Sequence, residues 1–338
     1  MAQALALKYR PKEFSDLTEQ SAIVTILTNQ IETNTIKHAY LFVGAAGTGK
    51  TTSARIFANM INNGKGNPIE LDAASNNSVD DIRVLIEQAQ TKSLDSEYKV
   101  FIIDECHMIT PQGWNAFLKT LEEPPLKSIF IMATTNPEKI PNTILSRAQR
   151  YNFQKISHNG IVNRLTYIIN NEQNEQNNFT NIDKEAIEYI AKMAEGGLRD
   201  AITMLDKCLS YSNDLSVENV VKALGAVDYD IMIELTNAIL SGENEKMVEI
   251  ITDINNSGAD LKQFIKLYSE FVLDVSIWLM TKSEKLVKVP KMWVEKFNGK
   301  DETQIKKLLE CVVELRSNIK YEHNPKPLIV ATFLLFEV

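Results

Sequence analysis

With 338 residues, 44% of them hydrophobic and 24% charged, the chain exceeds the usual size of one core and implies two or three globular domains rather than a fibrous or disordered polymer. A net charge of −8 is no mark of a nucleic-acid binder as a whole, but residues 1–157 carry 16 Lys+Arg against 16 Asp+Glu and residues 158–338 carry 20 against 28, so any DNA contact fits the first part better. Three well-separated cysteines and four scattered histidines speak against a disulfide framework or a zinc site, and the thiols are expected to serve as small apolar side chains.

The opening MAQALALKYRPKEF places its apolar run before its charges, the reverse of a secretory signal. The longest apolar run, residues 271–280, is interrupted by Asp274 and is too short to span a bilayer. A cytoplasmic protein with no membrane association is expected.

Runs rich in β-branched and aromatic residues predict strands at 38–44, 68–74, 99–105, 128–135 and 149–154. Their lack of polar alternation suits strands covered on both faces. Helical patterns fall between them, near 17–33, 50–62, 79–91 and 111–122, the last opened by a Thr110-Pro111 cap. Strands alternating with helices predict a mainly parallel sheet in an α/β domain. From about residue 157 the strand signal stops. Apolar residues at helical period then predict helices at 161–172, 184–195 and 198–209, and at about 216–224, 229–240, 244–256, 260–281, 301–320 and 326–337. The Asn-rich stretch 172–181 reads as a polar loop, and the helical part is divided near residue 223. The expected fold class is thus α/β plus all-α.

GAAGTGKT (44–51) fits G-x-x-x-x-G-K-[ST], follows the strand-like LFV and opens a helix, which is the context that makes it a phosphate-binding loop. Gly44, Gly47 and Gly49 let backbone N–H groups turn toward phosphate oxygens, with Thr48 and Thr52 beside them. Lys50 is expected on the terminal phosphates, and the Thr51 hydroxyl on Mg²⁺. KVFIIDE carries Asp104 to the carboxyl end of a buried strand as a second Mg²⁺ partner, with Glu105 to polarise a water. SIFIMATT brings Thr134, Thr135 and Asn136 to the end of another strand. Arg147 and Arg199 could each neutralise phosphoryl charge, although solvated surface charge is the ordinary reading of an arginine and spacing alone does not overturn it.

Taken in order, KYRPKEFSDL, HAYLFVGAAGTGKTTSAR, ELDAAS, VFIIDECHMIT, AFLKTLEEPP, ATTNPEKIPNTILSRAQRY and GGLRDA closely resemble the clamp-loader ATPases of the AAA+ group, above all their bacterial members, over residues 5–210. The resemblance implies a P-loop NTPase core at 1–156, a helical lid at 157–222 and a helical collar at 223–338. It implies ATP and Mg²⁺, with Lys50 and Thr51 as Walker A residues, Asp104 and Glu105 as Walker B, Thr135 as sensor 1 and Arg199 as sensor 2. Tyr9, Arg10 and Pro11 match the segment near the adenine, and Arg147 matches an arginine finger acting on a neighbouring subunit, with Ala148 where the family has cysteine. Implied partners are a sliding clamp, delta- and delta-prime-like subunits and primed DNA, in a hetero- or homo-pentamer.

Bacterial relatives insert a four-cysteine zinc module where 59–71 is short and cysteine-free, pointing to a divergent lineage such as a viral one. DNA-contact candidates are Asn76, Asn77 and Ser78, where relatives place basic residues, together with Lys119. The chain ends at LIVATFLLFEV, read as a final collar helix without the long extension of some members. A helicase, suggested by Asp104-Glu105-Cys106-His107, a branch-migration motor and a nucleotide-sensing scaffold are the competing readings.

Overall fold

The structure, a computed structural model, describes residues 3–174, 179–224 and 229–337. The chain divides into two compact units, Met1–Glu175 with Ala194–Asp206, and Gln176–Met193 with Lys207–Val338.

The first unit runs α1 (Leu5–Lys8), α2 (Ser21–Glu32), β1 (Ala39–Val43), α3 (Lys50–Ile61), β2 (Ile69–Asp72), α4 (Val79–Ala89), β3 (Lys99–Asp104), α5 (Pro111–Glu122), β4 (Ser128–Thr134), α6 (Asn142–Leu145), β5 (Gln149–Asn152) and α7 (His158–Asn174). All five strands are parallel, in the order β2-β3-β4-β1-β5. β1 and β4 are buried along their whole length. Alternation sorts their side chains between two cores. Leu41, Val43, Phe101, Ile103, Phe130 and Met132 pack with Trp114 and Phe117 of α5 and Leu85 of α4. Tyr40, Phe42, Val100, Ile102, Ile129 and Ile131 pack with Leu27 of α2 and Phe57 of α3. Phe130 shows the packing, stacked on Phe101 at 5.3 Å and edge-on to Phe117 at 5.0 Å.

Helix starts follow the sequence chemistry. Thr110 accepts from the Gly113 N–H with Pro111 at the first helical position. Ser78 caps α4 in a capping box with Asp81.

The second unit contains α8 (Lys184–Met193), the later part of α9 (Leu198–Tyr211), α10 (Val217–Leu224), α11 (Tyr229–Leu240), α12 (Asn244–Asn256), α13 (Leu261–Thr281), α14 (Lys291–Val294), α15 (Glu302–Asn318) and α16 (Pro325–Leu334). The expectation of no strands past residue 157 needs one correction: β6 (Asn181–Ile182) pairs in parallel with β7 (Asp214–Leu215). Two residues each are too few to leave a period-2 pattern in sequence. Of the Asn-rich stretch, 172–174 end α7, 181 lies in β6, and 175–178 lie outside the described residues. Among the described residues no helix is long and apolar enough to cross a membrane. Cys106 and Cys208 are buried and Cys311 is half-buried.

α13 is the spine of the second unit. Its Tyr268 is fully buried and shares a 2.9 Å hydrogen bond with the Thr236 hydroxyl. Asp274, which breaks the longest apolar run, is 8% exposed and accepts from the N–H groups of Lys288 (2.6 Å) and Val289 (2.8 Å). Burial raises its pKa, against the pull of those two donors. The carboxylate therefore anchors the segment after α13. Asp274→Ala, which strands both N–H groups, is expected to lower stability by about 2–4 kcal/mol in urea unfolding, and Asp274→Asn, which keeps an acceptor, by less.

Candidate nucleotide site

The loop after β1 turns at Gly44, where an added Cβ would lie 2.6 Å from the Phe153 carbonyl oxygen, so the approach of Phe153, the residue after β5, requires glycine here. Gly47 has φ +71°, and a Cβ there would stand 3.1 Å from Gly197 Cα and 3.3 Å from Arg199 N. The Leu198 N–H donates to the Gly47 carbonyl at 3.1 Å, so the GGLRDA segment is seated directly on the phosphate-loop backbone. Thr48 is buried and donates to the Ala45 carbonyl at 2.8 Å. Lys50 opens α3, is 6% exposed, and donates to the carbonyls of Gly44 (2.8 Å) and Ala45 (2.9 Å). Burial lowers its pKa, opposed by the nearby charges of Glu105 and Asp104.

β3 delivers the acidic half. The Thr51 hydroxyl donates to Asp104 Oδ2 at 2.7 Å, and Asp104 Oδ1 accepts from the Glu105 N–H at 3.0 Å. These oxygens form a hard donor pair suited to Mg²⁺, which prefers oxygen ligands. Glu105 has φ 44°, the left-handed region, where a non-glycine residue stores of order 1–3 kcal/mol and which recurs at functional sites. Its Oε2 accepts from the Thr135 hydroxyl (3.0 Å) and N–H (3.4 Å) and stands 3.1 Å from His107 Nδ1. His107 Nδ1 is also 3.2 Å from the Thr134 hydroxyl, so β4 holds the Glu105 carboxylate from beside the phosphate loop. Cys106 is fully buried among apolar neighbours, and burial pushes the pKa of its thiol up.

Beside the phosphate loop and the Asp104-Glu105 pair opens a cavity of about 420 Å³. Around it stand Tyr9, Arg10 and Pro11, the loop residues Gly47 to Thr52, Asp104, Glu105 and Arg199, with apolar surface from Leu7, Leu17, Ile156, Leu198 and Ile202. Burial lowers the pKa of Arg10, helped by Arg55 and Arg199, so positive charge converges on the cavity. Gly44 and Thr135 are not part of its lining. Arg147 lies elsewhere on the unit: its guanidinium donates to Glu122 Oε1 and to the Thr143 carbonyl, both at 2.6 Å, and the side chain is partly exposed.

The DNA-contact candidates have local duties. Asn76 Nδ2 donates to the Asp72 carbonyl at 3.2 Å, the Asn77 carbonyl accepts from the Thr110 N–H at 3.2 Å, and the Ser78 hydroxyl is engaged by Asp81 at 2.6 Å. Lys119 is exposed on α5. One supporting residue escaped the sequence reading. Gln20 is 9% exposed, donates to the Gln154 carbonyl at 2.7 Å and the Thr48 carbonyl at 3.5 Å, and accepts from the Gln154 N–H at 3.2 Å. No spacing rule singles out a glutamine whose partners lie 28 and 134 residues away.

A sequence profile of the DNA polymerase III delta subunit matches residues 19–76 and 61–157, and one for the ATPase lid domain of DNA polymerase III clamp loader subunits matches 160–214. DNA polymerase III subunit tau of Bacillus subtilis is 38% identical over 286 residues, 78% of this chain, which spans 50% of that relative's length. DNA polymerase III subunit gamma of Buchnera aphidicola subsp. Schizaphis graminum is 32% identical over 330 residues, covering 91% of this chain and 87% of the relative. Among solved structures, the RuvB Holliday junction branch migration motor of Thermotoga maritima has a TM-score of 0.52 at 16% identity, over 80% of this chain and 92% of that one, a likeness of fold alone. The fold is that of an AAA+ P-loop protein, and the chain belongs to the gamma/tau family of DNA polymerase III clamp-loader subunits.

Proposed function

We propose that the chain is an ATPase subunit of a sliding-clamp loader, using ATP binding and hydrolysis to open a clamp and place it on primed DNA. The observation that carries this is the cavity in which Lys50, the Thr51–Asp104 pair, Glu105 and Arg199 meet on one phosphate loop, in a chain of this family. The backbone of 44–51 and Lys50 bind the phosphates of ATP. Thr51 and Asp104 would hold Mg²⁺, which when bound would neutralise charge at the phosphate oxygens. Glu105 orients and polarises the attacking water, Thr135 positions Glu105 and senses the terminal phosphate, and Arg199 stabilises developing charge.

Arg147 acts in trans. Its absence from the lining of its own cavity and its partly exposed guanidinium favour service to ATP on a neighbouring subunit, where Glu122 presets its direction. The working species is an oligomer, a pentamer with delta- and delta-prime-like subunits, in the cytoplasm. We assign 1–156 to the ATPase core, 157–222 to the lid and 223–338 to the collar that joins subunits. The turn at Asn76, Asn77 and Ser78, with Lys119, is proposed to meet DNA phosphate through side-chain amides and one ammonium donor, with the Ser78 hydroxyl free to join only on leaving Asp81.

The deciding measurement is the ATPase rate with and without clamp plus primed template. Joint stimulation by both is expected. Strand unwinding or branch migration without a clamp would instead favour the motor reading. In the assembled complex, Arg147→Ala is expected to keep ATP affinity and lose turnover by about a hundredfold or more. Glu105→Gln should likewise trap bound ATP, with single-turnover hydrolysis at least about a hundredfold slower. Because few cations face the DNA, log affinity against log salt is expected to have a shallow slope, and a steep one contradicts the amide-based contact.

A further inference from the structure

We infer that Glu172 is a positioning residue for nucleotide recognition, holding the amino-terminal segment as a strap along the non-phosphate end of the cavity. The inference rests on the nucleotide reading above. Leu7, Tyr9, Arg10 and Pro11 line the cavity together with the phosphate loop. The strap cannot hold its own place, because α1 is a single four-residue turn, far below the length at which a helix is stable alone. Its position is set by what grips it.

The main grip is α7. Glu172, 7% exposed, accepts on one carboxylate oxygen from both Lys8 Nζ and Tyr9 Oη, each at 2.7 Å. About two turns earlier on the same helix, Arg164 donates to the Tyr9 carbonyl at 2.9 Å. The Arg164 guanidinium lies over the Tyr167 ring at 5.1 Å, and that ring meets Tyr9 edge-on at 6.5 Å. At the other end of α1, the Leu5 N–H donates to Asp206 of α9 at 3.1 Å. α9 also carries Arg199 and Ile202 into the cavity.

Both sides of the strap are thus fixed to helices outside the phosphate loop, and Glu172 holds it by two charge-assisted bonds to its own buried carboxylate, the Lys8 partner being partly exposed. The apolar face that the strap gives the cavity suits the flat base and ribose of a nucleoside triphosphate, while the phosphates depend on 44–51. Loosening Glu172 costs affinity by freeing a wall that must then be ordered on binding.

The test uses the full chain, with ATP affinity measured by isothermal titration and amide hydrogen exchange followed by mass spectrometry. Glu172→Ala is expected to weaken ATP binding about tenfold and Tyr9→Phe about threefold. The double variant should be no weaker than Glu172→Ala, because the hydroxyl loses the same acceptor either way. Exchange in residues 5–10 should quicken in Glu172→Ala while that in 44–51 stays as in the parent chain. Unchanged ATP affinity in both single variants overturns the inference. So do effects that multiply in the double variant, or exchange that quickens equally in the phosphate loop. If the unaltered chain fails to bind ATP, it is the nucleotide reading that falls.

Discussion

The site hangs on the register among three parallel strands. β4 lies between β3 and β1, with Val43 level with Thr134 and Ile103 level with Met132, so the carboxyl ends of all three strands open on one edge. From those ends come the phosphate loop, the Asp104-Glu105 pair and Thr135. The 2.7 Å bond from Thr51, at the start of α3, to Asp104 and the 3.0 Å Thr135–Glu105 bond join groups that follow different strand ends, and they form because those ends are level. A slip of one residue in β4 would turn its fully buried face over and move Thr135 away from the carboxylate. The two-sided core thus does more than stabilise the sheet, since each apolar residue packed against α2, α3, α4 or α5 helps fix a distance at its edge.

Around that edge the protein places groups where physical chemistry resists them. Lys50 is a buried ammonium, and Arg10 and Arg199 bring like charges to one cavity. Glu105 sits in a left-handed backbone conformation, braced by Thr135 and His107. Such placements are tolerated because carboxylates and carbonyls stand next to the cations, and because the surrounding core over-determines the backbone. Gln20 and the Gly197 approach brace the phosphate loop from outside.

Much of this was legible in the amino-acid pattern. The strand and helix spans fall within a few residues of those expected, since the central strands are uniformly apolar and the helices carry caps such as Thr110-Pro111 and Ser78 with Asp81. Two-residue strands such as β6 and β7 left no pattern to read. The grip of Glu172 on Tyr9 left none either, because its partners are 163 residues apart and neither type is unusual where it stands. Asp274 read as an interruption in an apolar run, and its task of holding two backbone N–H groups appears only when 288 and 289 fold back beside it.

The order of residues along the chain is enough to name the chemistry present. Glycine spacing followed by Lys50-Thr51 can form a phosphate cradle because that property is local to one turn and one helix start. Asp104-Glu105 at the end of an apolar run can be placed at a strand end for the same local reason. Which of these groups meet is settled by the folded chain. The Thr51–Asp104 and Glu105–Thr135 bonds, the seating of Gly197 on the phosphate loop, the Arg147–Glu122 pair and the strap on Glu172 all join residues distant in sequence. Those meetings depend on strand order and helix packing, and chain-local periodicity carries no information about either.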